Sequence, residues 1–151
     1  MTQEGSSKAE HRELRQELLQ AQKEGGKTGE AATEVMKVLF PHILMEERYA
    51  VPALKLLPRL SRGEISQEMA GILPTTEGLK RELPKMLEEH SQIVLALRKL
   101  MQAATEEKHD GYIQFATKII THAQNEEEML YPAAILVGEY IKLKLGVPRV
   151  E

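Results

Sequence analysis

Two stretches of the sequence decide the fold: residues 42–52 read HILMEERYAVP, and residues 122–132 read HAQNEEEMLYP. Both fit the pattern H-x3-E-E-x4-P, in which a proline follows the histidine by ten residues. Residues four apart in an α-helix project from the same face. Each histidine is therefore expected to lie beside the glutamate four positions later. Each proline, Pro52 and Pro132, is expected to bend or interrupt its helix.

A second pair of matching stretches precedes the first. Residues 10–18 read EHRELRQEL, and residues 89–97 read EHSQIVLAL. The offset between the two halves is 79 residues for this pair of histidines and 80 residues for the other pair. Self-similarity at a fixed offset indicates an internal repeat. The sequence therefore predicts two helical hairpins of one design, packed about a pseudo-two-fold axis.

Apolar residues recur at helical spacing through most of the chain, and glycines and prolines mark the ends of the segments. We predict a first helix at residues 7–23 and a second that begins near residue 28 and breaks near residue 52. A short helix is expected around residues 67–73, followed by a long helix from residue 75 or 76 to about 106. The last helix is predicted at residues 112–145, with an interruption at residue 132. Long helices joined by short turns predict an all-α, up-down-up-down four-helix bundle. We expect a single domain over residues 1–151, with a flexible N-terminus at 1–6 and a C-terminal tail at 146–151.

The composition excludes several classes of function. The 20 basic and 23 acidic residues form no long block of either sign, so the chain lacks the basic stripe typical of nucleic-acid binding. It has no cysteine, which excludes disulfides and thiolate metal sites. No apolar run approaches the roughly 18 residues of a membrane span, and the polar N-terminus does not resemble a signal peptide. We expect a soluble cytoplasmic protein without a membrane partner; the oligomeric state is left open.

Six side chains are predicted to point into the core and to form a metal site. They are His11, His42, Glu46, His90, His122 and Glu126. Burying a carboxylate without a partner costs several kcal/mol or forces its protonation. A pair of divalent cations would compensate for two such carboxylates. Imidazole and carboxylate without sulfur suit iron, manganese, zinc or copper better than magnesium or calcium.

This ordered set resembles the hemerythrin family in its bacterial and archaeal form, the HHE cation-binding domain. The resemblance extends from His11 to Pro132. It implies a non-haem di-iron centre in which the four histidines are ligands and the two glutamates, Glu46 and Glu126, bridge the irons; manganese or zinc are alternatives. It also implies that the protein binds, senses or reacts with a small oxidant: dioxygen, peroxide or nitric oxide. Peroxidase, catalase-like or oxygen-activating chemistry is then the enzyme class to test, and no catalytic residue is assigned.

One position departs from the family pattern. Oxygen-carrying members have a further histidine four residues before the third-helix ligand, and this chain has Met86 there. The remaining histidine, His109, lies in a predicted turn. A four-histidine site should be more symmetric and more open, which favours reactivity toward peroxide or oxygen over reversible oxygen carriage. Glu34, Tyr49 and Tyr131 are the candidates to complete the site.

Other interpretations of these residues stay open. Core packing is the first interpretation of both tyrosines, and Met86 and Met129 are expected to fill the core. Glu47 and Glu127 are expected to support the ligands from outside or to form surface ion pairs. The ferritin-like alternative needs a repeated E-x-x-H pattern, which residues 106–109 show only once. Two other functions remain: a non-catalytic metal store or sensor, and a structural helical bundle stabilised by zinc.

Overall fold

Helices account for nearly all of the chain in the computed structural model, which describes residues 3–147, with side chains from residue 8. The elements are α1 (Gln3–Lys23), α2 (Gly26–Tyr49), α3 (Val51–Leu54), α4 (Leu57–Ser61), a 3₁₀ helix (Gln67–Ile72), α5 (Leu73–Glu106), α6 (Gly111–Asn125), a π-helical turn (Glu126–Leu130) and α7 (Tyr131–Leu145). The prediction of an all-α fold is confirmed. Residues 1–2 of the expected flexible N-terminus and residues 148–151 of the expected tail lie outside the described residues.

Two helix starts differ from the prediction. Helix α1 begins at Gln3 rather than at residue 7. Helix α5 begins at Leu73 rather than at residue 75 or 76. Pro74 suits a first helical turn because its missing N–H would have no partner there. Thr76 is buried instead, and its hydroxyl donates to the carbonyl of Leu73 at 3.2 Å.

The long helices pack against one another in pairs. Helix α2 lies against α1 and α5, and α5 also contacts α6 and α7. Their buried apolar residues form two clusters. The first includes Leu14 and Ile93, one turn beyond His11 and His90, while the second includes Met86, one turn before His90. The predicted metal-binding residues therefore occupy a polar layer between two apolar clusters.

Both predicted proline interruptions are present. Helix α2 ends at Tyr49 and α3 restarts at Val51, just before Pro52. The π-helical turn is followed directly by Tyr131 and Pro132. A π-helical turn holds one more residue than an α-helical turn, so it rotates the residues that follow. Tyr131, the first residue after this turn, is buried, with 1% of its surface exposed.

The same rotation corrects a prediction for the core. Met129 lies within the π-helical turn and is 70% exposed, so it does not fill the core as expected. Met86 is fully buried, as predicted. Among the described helices, none is long and apolar enough to cross a lipid bilayer.

Candidate metal centre

All six predicted metal-binding residues meet in the polar layer. Their nitrogen and oxygen atoms form two groups, each within 4.8 Å, that could hold a metal ion. One group contains His11 and His122, and the other contains His42 and His90. Glu46 and Glu126 belong to both groups. We call these the 11/122 group and the 42/90 group.

The two shared carboxylates each turn one oxygen toward each group. Glu46 places Oε1 2.8 Å from Nε2 of His42 and Oε2 3.7 Å from Nε2 of His11. Glu126 places Oε1 3.3 Å from Nε2 of His90 and Oε2 3.1 Å from Nε2 of His122. All four imidazoles therefore direct Nε2 inward. This arrangement suits carboxylates that are shared between two ions.

The outward nitrogen of every imidazole faces another glutamate. The Nδ1–Oε distances are 3.1 Å for His11–Glu47, 3.0 Å for His42–Glu89, 2.8 Å for His90–Glu127 and 3.0 Å for His122–Glu10. A metal-binding histidine usually donates its other N–H to a carboxylate or carbonyl, which fixes the ring and its tautomer. We call Glu10, Glu47, Glu89 and Glu127 the outer glutamates.

The outer glutamates follow the internal repeat. Glu47 and Glu127 each bind the first histidine of their own half, while Glu89 and Glu10 each reach across to the other half. The contacts of Glu47 and Glu127 agree with the support that the sequence predicted for them. The roles of Glu10 and Glu89 were missed, although the repeated Glu-His pair at 10–11 and 89–90 was a usable signal.

The centre is buried, and some of its polar atoms make no hydrogen bond. Both observations bear on whether metal ions fit there. Glu46 and Glu126 are 2% and 4% exposed. Within residues 8–147, three buried side-chain atoms make no hydrogen bond of acceptable geometry: Oε2 of Glu46, Oε2 of Glu126 and Nε2 of His122. The last two lie 3.1 Å apart but are not aligned for a hydrogen bond. Buried polar atoms are nearly always paired, and exceptions call for an explanation such as an ion. The donor set and these unpaired atoms fit a pair of cations.

Without metal, the ionisable groups compensate for one another. Burial lowers the pKa of His90, but hydrogen bonds to Glu126, Glu46 and Glu127 outweigh it and raise this pKa to about 10. The pKa values of the other three imidazoles are raised for the same reasons. Burial also raises the pKa of Glu46, yet hydrogen bonds from Glu126 and the imidazoles hold it well below its usual range.

Glu126 shifts in the opposite direction. Burial and the neighbouring Glu46 carboxylate raise its pKa, because two buried negative charges repel each other. Protons thus supply the positive charge in the metal-free centre. A metal ion would have to displace them, so its binding must depend on pH.

Tyr131 is a seventh residue of the centre as well as a buried residue of the second apolar cluster, so the packing interpretation and the interpretation as a site residue both hold. Its hydroxyl lies 3.2 Å from Nε2 of His42 and 3.0 Å from Nε2 of His90. Burial and the charges of Glu46 and Glu126 raise the pKa of this phenol, so it keeps its proton. The sequence named Tyr131 as a candidate to complete the site, but helical spacing did not show which group it contacts, because a π-helical turn precedes it.

The other two candidates to complete the site have different partners. Glu34 is exposed and pairs with Lys37 at 3.0 Å. Tyr49 packs beside Gly78, and Arg48 stacks over its ring. His109 lies in the turn before α6, as predicted, with its ring against Tyr112. None of these residues belongs to either metal-binding group found among the described residues.

Comparison with protein-family models, with curated proteins and with solved structures finds no match for this chain. The resemblance to hemerythrins therefore rests on the repeated residues themselves. The structure independently shows an all-helical chain with a buried cluster of histidines and glutamates that could hold metal ions.

Proposed function

We propose that this chain is a hemerythrin-like four-helix bundle that binds two iron ions and that binds, senses or reacts with a small oxidant. The observation that carries the proposal is the sharing of Glu46 and Glu126 between two buried pairs of histidines. Two groups that share both carboxylates suit two adjacent ions better than one. The internal repeat supports the same conclusion, because each half supplies two histidines and then a glutamate in the same order.

The ligand set would divide evenly between the ions. His11 and His122 would hold one ion, His42 and His90 the other, and the two carboxylates would bridge them. Each ion would then receive two nitrogens and two oxygens from the protein, which leaves open coordination positions on iron. Bound iron would supply those positions and the electrons for reaction with an oxidant.

The surrounding residues would keep the centre selective for small molecules. Apolar side chains complete the wall around the six ligands: Leu14, Leu39, Ile43, Ile93, Ile119 and Ala123. Such a wall limits the entry of water and of bulky substrates, and it strengthens electrostatic interactions inside. The Tyr131 hydroxyl is positioned to hydrogen-bond at the 42/90 group. Dioxygen, peroxide and nitric oxide are the oxidants of suitable size.

Anaerobic loading with iron tests the proposal. The purified protein should bind two Fe²⁺ per chain, and its visible spectrum should change when dioxygen, hydrogen peroxide or nitric oxide is added. Sustained consumption of peroxide would identify an enzyme. Two irons that react with none of the three would instead indicate a metal store or sensor. Uptake of zinc without iron would contradict the proposal and indicate a zinc-stabilised bundle.

A further inference from the structure

The two metal-binding groups differ at one position of the internal repeat. Tyr131 follows His122 by nine residues, and the residue nine after His42 is Val51. Both side chains are buried. Tyr131 reaches Nε2 of His42 and of His90, whereas Val51 has no polar atom in its side chain to offer the 11/122 group. A centre that is nearly symmetric in its ligands is therefore asymmetric in their surroundings.

The unpaired atoms follow this asymmetry. All three buried atoms that make no hydrogen bond within residues 8–147 face the 11/122 group: Oε2 of Glu46, Oε2 of Glu126 and Nε2 of His122, the last two 3.1 Å apart without hydrogen-bond alignment. In the 42/90 group the Tyr131 hydroxyl partners both inward nitrogens, at 3.2 and 3.0 Å. The hydroxyl thus satisfies the same two nitrogen atoms that a metal ion would bind there.

We propose that the two ions bind in order, first at the 11/122 group and then at the 42/90 group, where Tyr131 acts as an internal competitor. This inference rests on the proposed two-metal function. A metal at the 11/122 group satisfies atoms that are otherwise unpaired, so its binding breaks no hydrogen bond to Tyr131. A metal at the 42/90 group must first separate the Tyr131 hydroxyl from His42 and His90.

Access to solvent favours the same order. The side chain of His122 is 25% exposed, whereas those of His11, His42 and His90 are at most 4% exposed. A hydrated ion therefore reaches the 11/122 group with less rearrangement. Tyr131 borders a surface groove beside Leu83 and Ile135. The groove is lined mainly by aliphatic side chains, and the ring would shift toward it when the second ion binds.

Anaerobic calorimetric titration of the metal-free protein with Fe²⁺ tests this order. We expect two resolved steps of one ion each, with the first roughly tenfold tighter or more, since the second must break two hydrogen bonds. Two ions that bind with indistinguishable affinity would overturn the proposed order but leave the two-metal function intact. The absence of any Fe²⁺ binding would overturn both.

Two variants matched by the internal repeat assign the steps to their groups. His122→Ala should abolish the tight step and leave only weak binding. His42→Ala should retain the tight step for one ion and lose the second. The reverse pattern would show that the 42/90 group fills first and would overturn the proposal. Circular dichroism of both metal-free variants checks that each remains helical.

Tyr131→Phe isolates the role of the hydroxyl, because it keeps the ring. We expect the second step to tighten roughly tenfold, so that the two steps approach each other, while the first step stays unchanged. Tyr140→Phe is the matched control in the same helix; its ring packs under Lys144, and its titration should equal that of the wild type. If Tyr131→Phe leaves the second step unchanged or weakens it, the hydroxyl is no competitor and the proposal is wrong.

Discussion

Replacing Glu46 with glutamine should remove a carboxylate that both metal ions would share, and also a buried charge that pairs with the neighbouring imidazoles. Glu46 contributes one oxygen to each metal-binding group and is 2% exposed. Glutamine has the same size, and its amide oxygen can still accept a hydrogen bond from His42. It removes the buried negative charge and with it the bridge between two cations. Removing one member of a buried group of paired charges is destabilising, because the imidazolium side chains of His11 and His42 lose their counter-charge.

The increase in stability expected from bound metal follows from the linkage between metal binding and unfolding. Each ion should stabilise the wild-type protein by about 2.7 kcal/mol when free metal is at 100 times its dissociation constant. Two ions then contribute about 5 kcal/mol, because the contributions of separate binding events add. For a chain of this length, about 1 kcal/mol shifts Tm by about 2–4 °C. We therefore expect saturating Fe²⁺ to raise the wild-type Tm by about 10–20 °C.

Differential scanning calorimetry under nitrogen, with and without Fe²⁺, measures both quantities. Metal-free Glu46→Gln should unfold below the temperature of the metal-free wild type, and Fe²⁺ should raise its Tm by only a small fraction of the wild-type shift. Glu88→Gln, an exposed substitution next to Glu89, should behave as the wild type does. The reasoning is refuted if Glu46→Gln gains the full shift or still holds two ions per chain.

Three further predictions concern a histidine partner, the effect of pH and the packing of two helices. Glu89→Ala removes the partner of one imidazole and should weaken metal binding about 10- to 100-fold in a competition titration with a chelator, whereas Glu88→Gln should not. Because the imidazole pKa values are raised in the folded state, protonation of these histidines stabilises the metal-free protein. This contribution is complete below about pH 6.5 and is lost as the pH rises toward 10, the pKa of His90. Chemical denaturation at several pH values should show the loss. Metal affinity should instead increase over the same range, because protons no longer compete; parallel pH profiles would contradict the assignment. Gly138→Ala would place a methyl group 2.7 Å from Cβ of Thr76, so it should destabilise the fold by about 1–3 kcal/mol in urea unfolding while two metals still bind.

Periodicity and the internal repeat predicted the features that depend on local sequence. The helical segments, the turn before α6 and the interruptions at Pro52 and Pro132 all follow from the spacing of apolar residues and from the chemistry of proline. The residues that meet in the centre were predicted as well, because i and i+4 share a helix face. The duplication led us to expect that the two halves face each other.

The features that were missed depend on contacts between helices or on a change of helical register. Glu10 and Glu89 are polar residues on outer faces, and only the packing of the two halves shows that they reach His122 and His42. The environments of Met129 and Tyr131 depend on the π-helical turn, which adds a residue to the helix. Four-residue spacing cannot predict where the side chains after such a turn will point.

Anomalous X-ray diffraction at the iron edge, from crystals loaded anaerobically with Fe²⁺, tests the central claim most directly. We expect two iron peaks roughly 3.5–4 Å apart, a spacing typical of two-metal sites. One peak should lie between His11 and His122, the other between His42 and His90, with Glu46 bridging them. A single peak, or peaks away from these histidines, would contradict the account.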